Sequence, residues 1–215
     1  ALSENDATQI NMYLQQLGKT QFLKKQKPTP YDEAVSLIWY LENVFYSAAG
    51  RIINTLKSQY PDALNTRHSI IQMGFWPGGD RDGNPFVTAK TTLQVADALR
   101  GSIIKCYYLD VRRLKRRLTF KGVDALLNEL EDQLYSNIFI PGNRTGLTQA
   151  DILATLNKIR DILVFQHNSL FLHLVDSLIN KVDVFGLHFA ALDIRQDASV
   201  HGKVWEEIAR RTDLE

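Results

Sequence analysis

The residues of this chain best suited to chemistry fall in two stretches far apart in sequence. The first, GFWPGGDRDGNPFVT, runs from Gly74 to Thr88 and sets Trp76, Asp80, Arg81 and Asp82 among glycines and prolines. The second, LDIRQD, runs from Leu192 to Asp197 and places Arg195 between Asp193 and Asp197. An arginine at the end of a buried strand can present its planar fork to a phosphate or a carboxylate while neighbouring acids fix its orientation. Two readings of each stretch stay open. Arg81, held between two carboxylates by ion pairs, either orders a site beside Trp76 or only ties a loop together. Arg195 either takes an anionic ligand or is one half of a structural ion pair.

Other chemistries fail on spacing. A calcium loop starting at Asp80 would need Gly at its sixth position and Glu at its twelfth, where this chain has Pro85 and Thr91. The glycines at 78, 79 and 83 match neither the phosphate-loop nor the dinucleotide fingerprint. His188 and His201 have no Cys or His partner at metal-ligand spacing and read as structural or surface histidines. RRLKRR, Arg112 to Arg117, reads as the solvated, basic end of a helix rather than a nucleic-acid surface.

The elements that must position these residues follow from periodicity. A helix is expected from about Asn5 to Leu23, and a second begins near Tyr31, beyond Pro28 and Pro30. Its apolar stripe runs through Ala34, Leu37, Ile38, Leu41, Val44, Phe45 and Ala48 to Ile52, Ile53 and Leu56, one long helix with one broad buried face. SIIQMGFW, ending at Trp76, reads as a short buried strand, and Thr88 as the N-cap of a helix reaching about Leu118. Further helices are expected around Leu126 to Leu134, from a capping box at Thr148 and Asp151 through Leu163, and again through Leu170, Leu174, Val175 and Leu178. VDVFGLHFAALDIRQ, from Val182, reads as a second buried strand ending near Arg195, and a last helix covers about Ser199 to Arg211. The fold class is mainly α with a few β-strands. Two strands make no stable sheet alone; if they are neighbours in a larger parallel sheet or barrel, their C-terminal ends point the same way, toward the end where active sites of such folds sit.

Composition narrows the function classes. With 25 Lys and Arg against 24 Asp and Glu, the chain has no whole-chain basic field of the kind that drives non-specific nucleic-acid binding. Cys106 is the only cysteine and reads as an inert buried thiol in a reducing compartment. No apolar run reaches membrane-spanning length, and the location is expected to be cytoplasmic, with Asn143-Arg144-Thr145 a chance glycosylation match. The chain starts without Met, enters helical pattern almost at once and ends on Leu214-Glu215, features that read as a piece cut from a longer protein.

GFWPGGDRDGNP, Gly74 to Pro85, resembles the Trp-x-Gly-Gly-Asp-Arg-Asp-Gly-Asn-Pro signature of phosphoenolpyruvate carboxylases. LDIRQDASVH, Leu192 to His201, resembles that family's second marker, and KPTPYDEA, Lys27 to Ala34, is a weaker third match in the family's order. The resemblance implies a central piece, residues 1 to 215, of a mostly helical enzyme built on a parallel α/β barrel. Its reaction carboxylates phosphoenolpyruvate with bicarbonate to oxaloacetate and phosphate, with magnesium or manganese in the full enzyme. Arg195 then matches the phosphate-contacting arginine and Trp76 the tryptophan lining the pocket; Asp80, Arg81, Asp82 and Asp193 would order the mouth. The family's catalytic-histidine segment is expected upstream, its glycine-rich loop and metal carboxylates downstream. The isolated chain is therefore expected to bind no metal and to be inactive, and its parent to be a homotetramer. Pro77 departs from the usual Met or Ile, and Ala198 shifts the marker serine to Ser199. A competing expectation is a non-catalytic helical module that binds a phosphorylated metabolite or a protein partner.

Overall fold

Thr29 begins the first long helical stretch by a reciprocal exchange: its hydroxyl accepts from the Asp32 amide at 3.2 Å and its own amide donates to the Asp32 carboxylate at 3.0 Å. Pro30 follows at the first helical position, where its missing amide hydrogen costs nothing. The computed structural model describes residues 4–20, 27–61, 70–140 and 146–212. Within them the order is α1 (Glu4–Lys19), α2 (Pro30–Tyr40), a π-helical turn (Leu41–Phe45), α3 (Tyr46–Gln59), β1 (Gly74–Phe75), α4 (Ala89–Lys115), α5 (Val123–Phe139), α6 (Gln149–Gln166), α7 (Leu172–Phe185), β2 (Ala191–Leu192) and α8 (Ala198–Thr212). The protein is mainly helical, as expected. The Asn143 sequon and the expected end of the first helix at Leu23 lie outside the described residues.

The core is built around α4, whose buried Val95, Leu99, Ile103, Tyr107, Val111 and Leu114 recur at helical spacing. Against it pack α2, α5 and α7, while α6 closes the far side against α5 and α7. The expected stripe along residues 34 to 56 is broken. Ala34, Ile38 and Leu41 are buried, but Val44 and Phe45 are nearly half exposed, and Tyr46, Ala49 and Ile53 turn inward instead. The π turn is the reason: the Tyr46 amide bonds to the Leu41 carbonyl, five residues back, so the buried face advances past the 3.6-residue repeat. This puts the Tyr46 hydroxyl 2.8 Å from the Asp110 carboxylate, where it donates, and its ring 5.7 Å from Phe185. Burial raises the Tyr46 phenol well above its ordinary range, and raises the Cys106 thiol to about 12, so that cysteine is the inert group expected.

Both strands are shorter than their apolar sequences indicate. Only Gly74–Phe75 of the first stretch pairs, and Val182 to Phe185 of the second complete α7 rather than a strand. Val175, Leu178, Val182 and Phe185 are all buried on one helical face, so the helical repeat outlasts the β-branched composition and stops only at Gly186. β1 and β2 are parallel and adjacent, with Gly74 opposite Ala191 and Phe75 opposite Leu192. Among the described residues no helix is long and apolar enough to cross a membrane.

Candidate functional site

The two strands run side by side, so their C-terminal ends reach the same rim. Ala191 and Asp193 donate their amides to the Met73 and Phe75 carbonyls at 2.8 and 2.9 Å. Pairing resumes with Asp80 opposite Arg195, which leaves two more residues on the first strand than on the second between the matched pairs. Trp76-Pro77-Gly78-Gly79 absorbs the excess as a turn closed by the Gly79 amide on the Trp76 carbonyl at 3.0 Å. Proline second and a glycine at φ +84° third is the residue pattern of a type II turn, so Pro77 and Gly78 are explained by backbone geometry. Gly79 is explained by crowding: a Cβ there would lie 2.0 Å from the Asp193 carbonyl oxygen.

This loop grips the main chain of Arg195 from both sides. The Arg195 amide donates to the Gly79 carbonyl at 3.0 Å, and its carbonyl accepts from the Arg81 amide at 3.1 Å. Its guanidinium carbon then lies 5.9 Å from the centre of the Trp76 ring, and Asp193 accepts from Nε at 3.0 Å. Trp76 is 56% exposed, and the Arg195 and Asp193 side chains are 57% and 53% exposed, so the pair is not a buried structural one. An exposed cation–π contact is worth roughly 0.5–1 kcal/mol and a surface ion pair roughly 0.2–1 kcal/mol. Together they orient the guanidinium without committing it, because a charge-assisted hydrogen bond to an incoming anion contributes about 1.5–3 kcal/mol. Among the described residues Asp193 engages only Nε, and no hydrogen bond takes either terminal amino group, which leaves both for such a ligand.

The remaining expected residues divide. Asp80 and Asp82 share a side-chain hydrogen bond that raises the Asp80 carboxyl and lowers that of Asp82, so the pair loses its protons one at a time; Arg195 draws both downward. Arg81 departs from expectation. Its guanidinium makes no ion pair with Asp80 or Asp82 among the described residues; it donates to the Thr92 hydroxyl at 3.1 Å. Its flanking acids are engaged with each other, and the α4 amino terminus offers the nearer acceptor. Asp197 does not orient Arg195 either: it accepts from the Ser199 amide at 2.8 Å at the start of α8, and those bonds lower its carboxyl. Among the described residues no group of three His, Cys, Asp or Glu side chains is placed to hold a metal ion.

Thr92 is the residue that reading by motif missed. It is buried, donates to the Gly78 carbonyl at 2.7 Å, accepts from Arg81, and so fastens the loop to the first turn of α4, which Thr88 caps. The signal available was the run TAKTT, unusual at a helix start because Thr is a poor helix former. Thr92→Val keeps the shape and removes both bonds, and is expected to destabilise the protein by about 1–3 kcal/mol in urea unfolding. An unfolding midpoint equal to that of the parent sequence would show that the hydroxyl holds nothing.

A family model described as phosphoenolpyruvate carboxylase matches residues 3–139 and 136–215. A phosphoenolpyruvate carboxylase of Aeromonas hydrophila is 29% identical over 231 residues, covering 94% of this chain and 26% of the relative. Relatives of the same name from Aeromonas salmonicida and Shewanella halifaxensis are 28% and 27% identical, covering 94% and 97% of this chain and 26% and 28% of their own lengths. The chain thus spans about a quarter of the length of the curated relatives it matches.

Proposed function

This chain belongs to the phosphoenolpyruvate carboxylase family, and on that premise we propose that it forms one wall of the phosphoenolpyruvate site in a larger enzyme, its strand pair being part of a parallel α/β barrel. The observation that carries the reading is the meeting of Arg195 and Trp76, 5.9 Å apart, at the joined ends of two parallel strands. Parallel-sheet folds bind ligands at that end.

In this reading bicarbonate oxygen attacks phosphorus, the bond from phosphorus to the enol oxygen breaks, and carboxyphosphate and the enolate of pyruvate result. Carboxyphosphate yields carbon dioxide and phosphate, and the enolate carbon adds to carbon dioxide to give oxaloacetate. The terminal amino groups of Arg195 carry charge on the transferring phosphoryl group, and the Trp76 indole keeps water from protonating the enolate carbon. Asp193 sets the direction of the guanidinium, while Asp80, Arg81 and Asp82 hold the loop that clamps its backbone. The described residues offer no ligand set for the magnesium or manganese that the resemblance implies; this chain's own contribution is binding, orientation and exclusion of water.

The full-length protein carrying this chain, supplied with phosphoenolpyruvate, bicarbonate and magnesium, is expected to consume NADH in an assay coupled through malate dehydrogenase. The 215-residue chain alone is expected to consume none. Consumption by the full-length protein that does not depend on bicarbonate would overturn the reading.

A further inference from the structure

The basic run that closes α4 is not a uniform solvated face. Arg112 pairs with Glu131 of α5 at 3.5 Å, and Lys115 pairs with the same carboxylate. Arg113, Arg116 and Arg117 instead line a cleft of about 620 Å3 against α7. From α7 the cleft takes His173, Ser177 and Lys181, four residues apart and therefore on one helical face. Leu114, Leu174 and Leu178 give it an apolar floor.

Among the described residues one carboxylate, Asp110, lines the cleft, and it is already engaged by Tyr46 at 2.8 Å, Arg113 at 2.9 Å and Lys181 at 2.7 Å. Arg116 and Arg117 are exposed and have no carboxylate partner among the described residues. Ser177 accepts from Asn54 at 2.9 Å and retains a hydroxyl proton to donate. His173 and Leu174 lie in the first turn of α7, whose dipole adds positive potential at the same place. Four permanent cations thus face one satisfied carboxylate in a chain whose net charge is only +1, within a volume suited to a small organic molecule.

We propose that this cleft binds a small organic polyanion, carrying at least two phosphate or carboxylate groups on a short apolar body. The forks of Arg116 and Arg117 take the anionic groups, Lys181 and Ser177 add a charge and a donor from the opposite wall, and Leu174 and Leu178 meet the carbon skeleton. The cleft is separate from the Trp76 and Arg195 mouth. The mouth is fastened to α4 at Thr92 and the cleft is lined by α4 from Asp110 and Arg113 onward, and a helical rise of about 1.5 Å per residue puts roughly 30 Å between them.

The test is calorimetric titration of the full-length protein with pyrophosphate and with citrate at about 0.15 M salt, where loose surface attraction is screened. Saturable binding of at least one probe, tighter than about 1 mM, is expected. Combined Arg116→Ala and Arg117→Ala should weaken it by about tenfold or more. Arg112→Gln, which removes one positive charge from the Glu131 side, and Arg195→Ala, which alters only the mouth, should leave it within about twofold. Binding of pyrophosphate alone supports phosphoryl ligands, and of citrate alone carboxylates. The proposal is overturned by the absence of saturation with either probe, by equal weakening in Arg112→Gln, or by loss in Arg195→Ala with the double variant unaffected. Arg116 and Arg117 are exposed and have no carboxylate partner among the described residues, so the double variant should keep the parent's thermal midpoint.

Discussion

Arg195→Ala in the full-length protein is expected to lower kcat/KM for phosphoenolpyruvate by about a hundredfold or more. The main chain at this position is held by Gly79 and Arg81 through backbone bonds alone, so removing the side chain leaves the strand junction intact. The substitution therefore isolates the guanidinium. Two charge-assisted hydrogen bonds to phosphate at about 1.5–3 kcal/mol each exceed the weak contacts to Trp76 and Asp193 that must loosen, leaving a net of roughly 3 kcal/mol. Arg195→Lys keeps the charge and loses the fork, and should recover only part of the loss. Steady-state rates measured across a range of phosphoenolpyruvate concentrations decide the matter. A curve superimposable on the parent's would remove Arg195 from the site.

Gly79→Ala should do comparable damage by a different route. The added Cβ would meet a backbone oxygen of Asp193 at 2.0 Å, and no side-chain rotation can relieve a clash between two main chains. The strands must part, which strains or breaks the bonds from Asp193 to Phe75 and from Arg195 to Gly79. Overpacking costs about 1–3 kcal/mol and each lost bond about 1 kcal/mol, so a loss of about 3–5 kcal/mol is expected, together with displacement of Arg195. Chemical unfolding followed by tryptophan fluorescence measures the first effect, and kcat/KM the second. Full stability with full activity would show that the two chains are not so closely apposed.

The positions of these residues were legible in sequence to different degrees. Thr88 and the Thr148 to Asp151 box mark helix starts in the structure as their spacing indicates, and Leu127, Leu130 and Leu134 of α5 and Ile152 and Ile159 of α6 are buried where helical period puts them, while Leu126 and Ile162 are only partly buried. The glycines of GFWPGGDRDGNP signalled an unusual backbone, but not which one. Gly79 is needed because of Asp193, a residue far along the chain, and the partner in such a close approach leaves no mark beside the glycine itself. Arg81 was misread for the same reason: flanking acids looked like its partners, whereas Thr92, brought near by folding, is the acceptor it reaches.

The amino-acid order alone determined the family, the predominance of helix, most helix starts and the two segments that carry Trp76 and Arg195. These are properties of short windows, in which capping and periodic burial act between residues three or four apart. The tertiary structure decided the phase shift at the π turn, the brevity of both strands, the setting of the Arg195 guanidinium against Trp76 and Asp193, and the basic cleft between α4 and α7. Each of those depends on backbone or charge supplied by a distant segment, whose approach is set by packing of the whole core rather than by any neighbour in sequence.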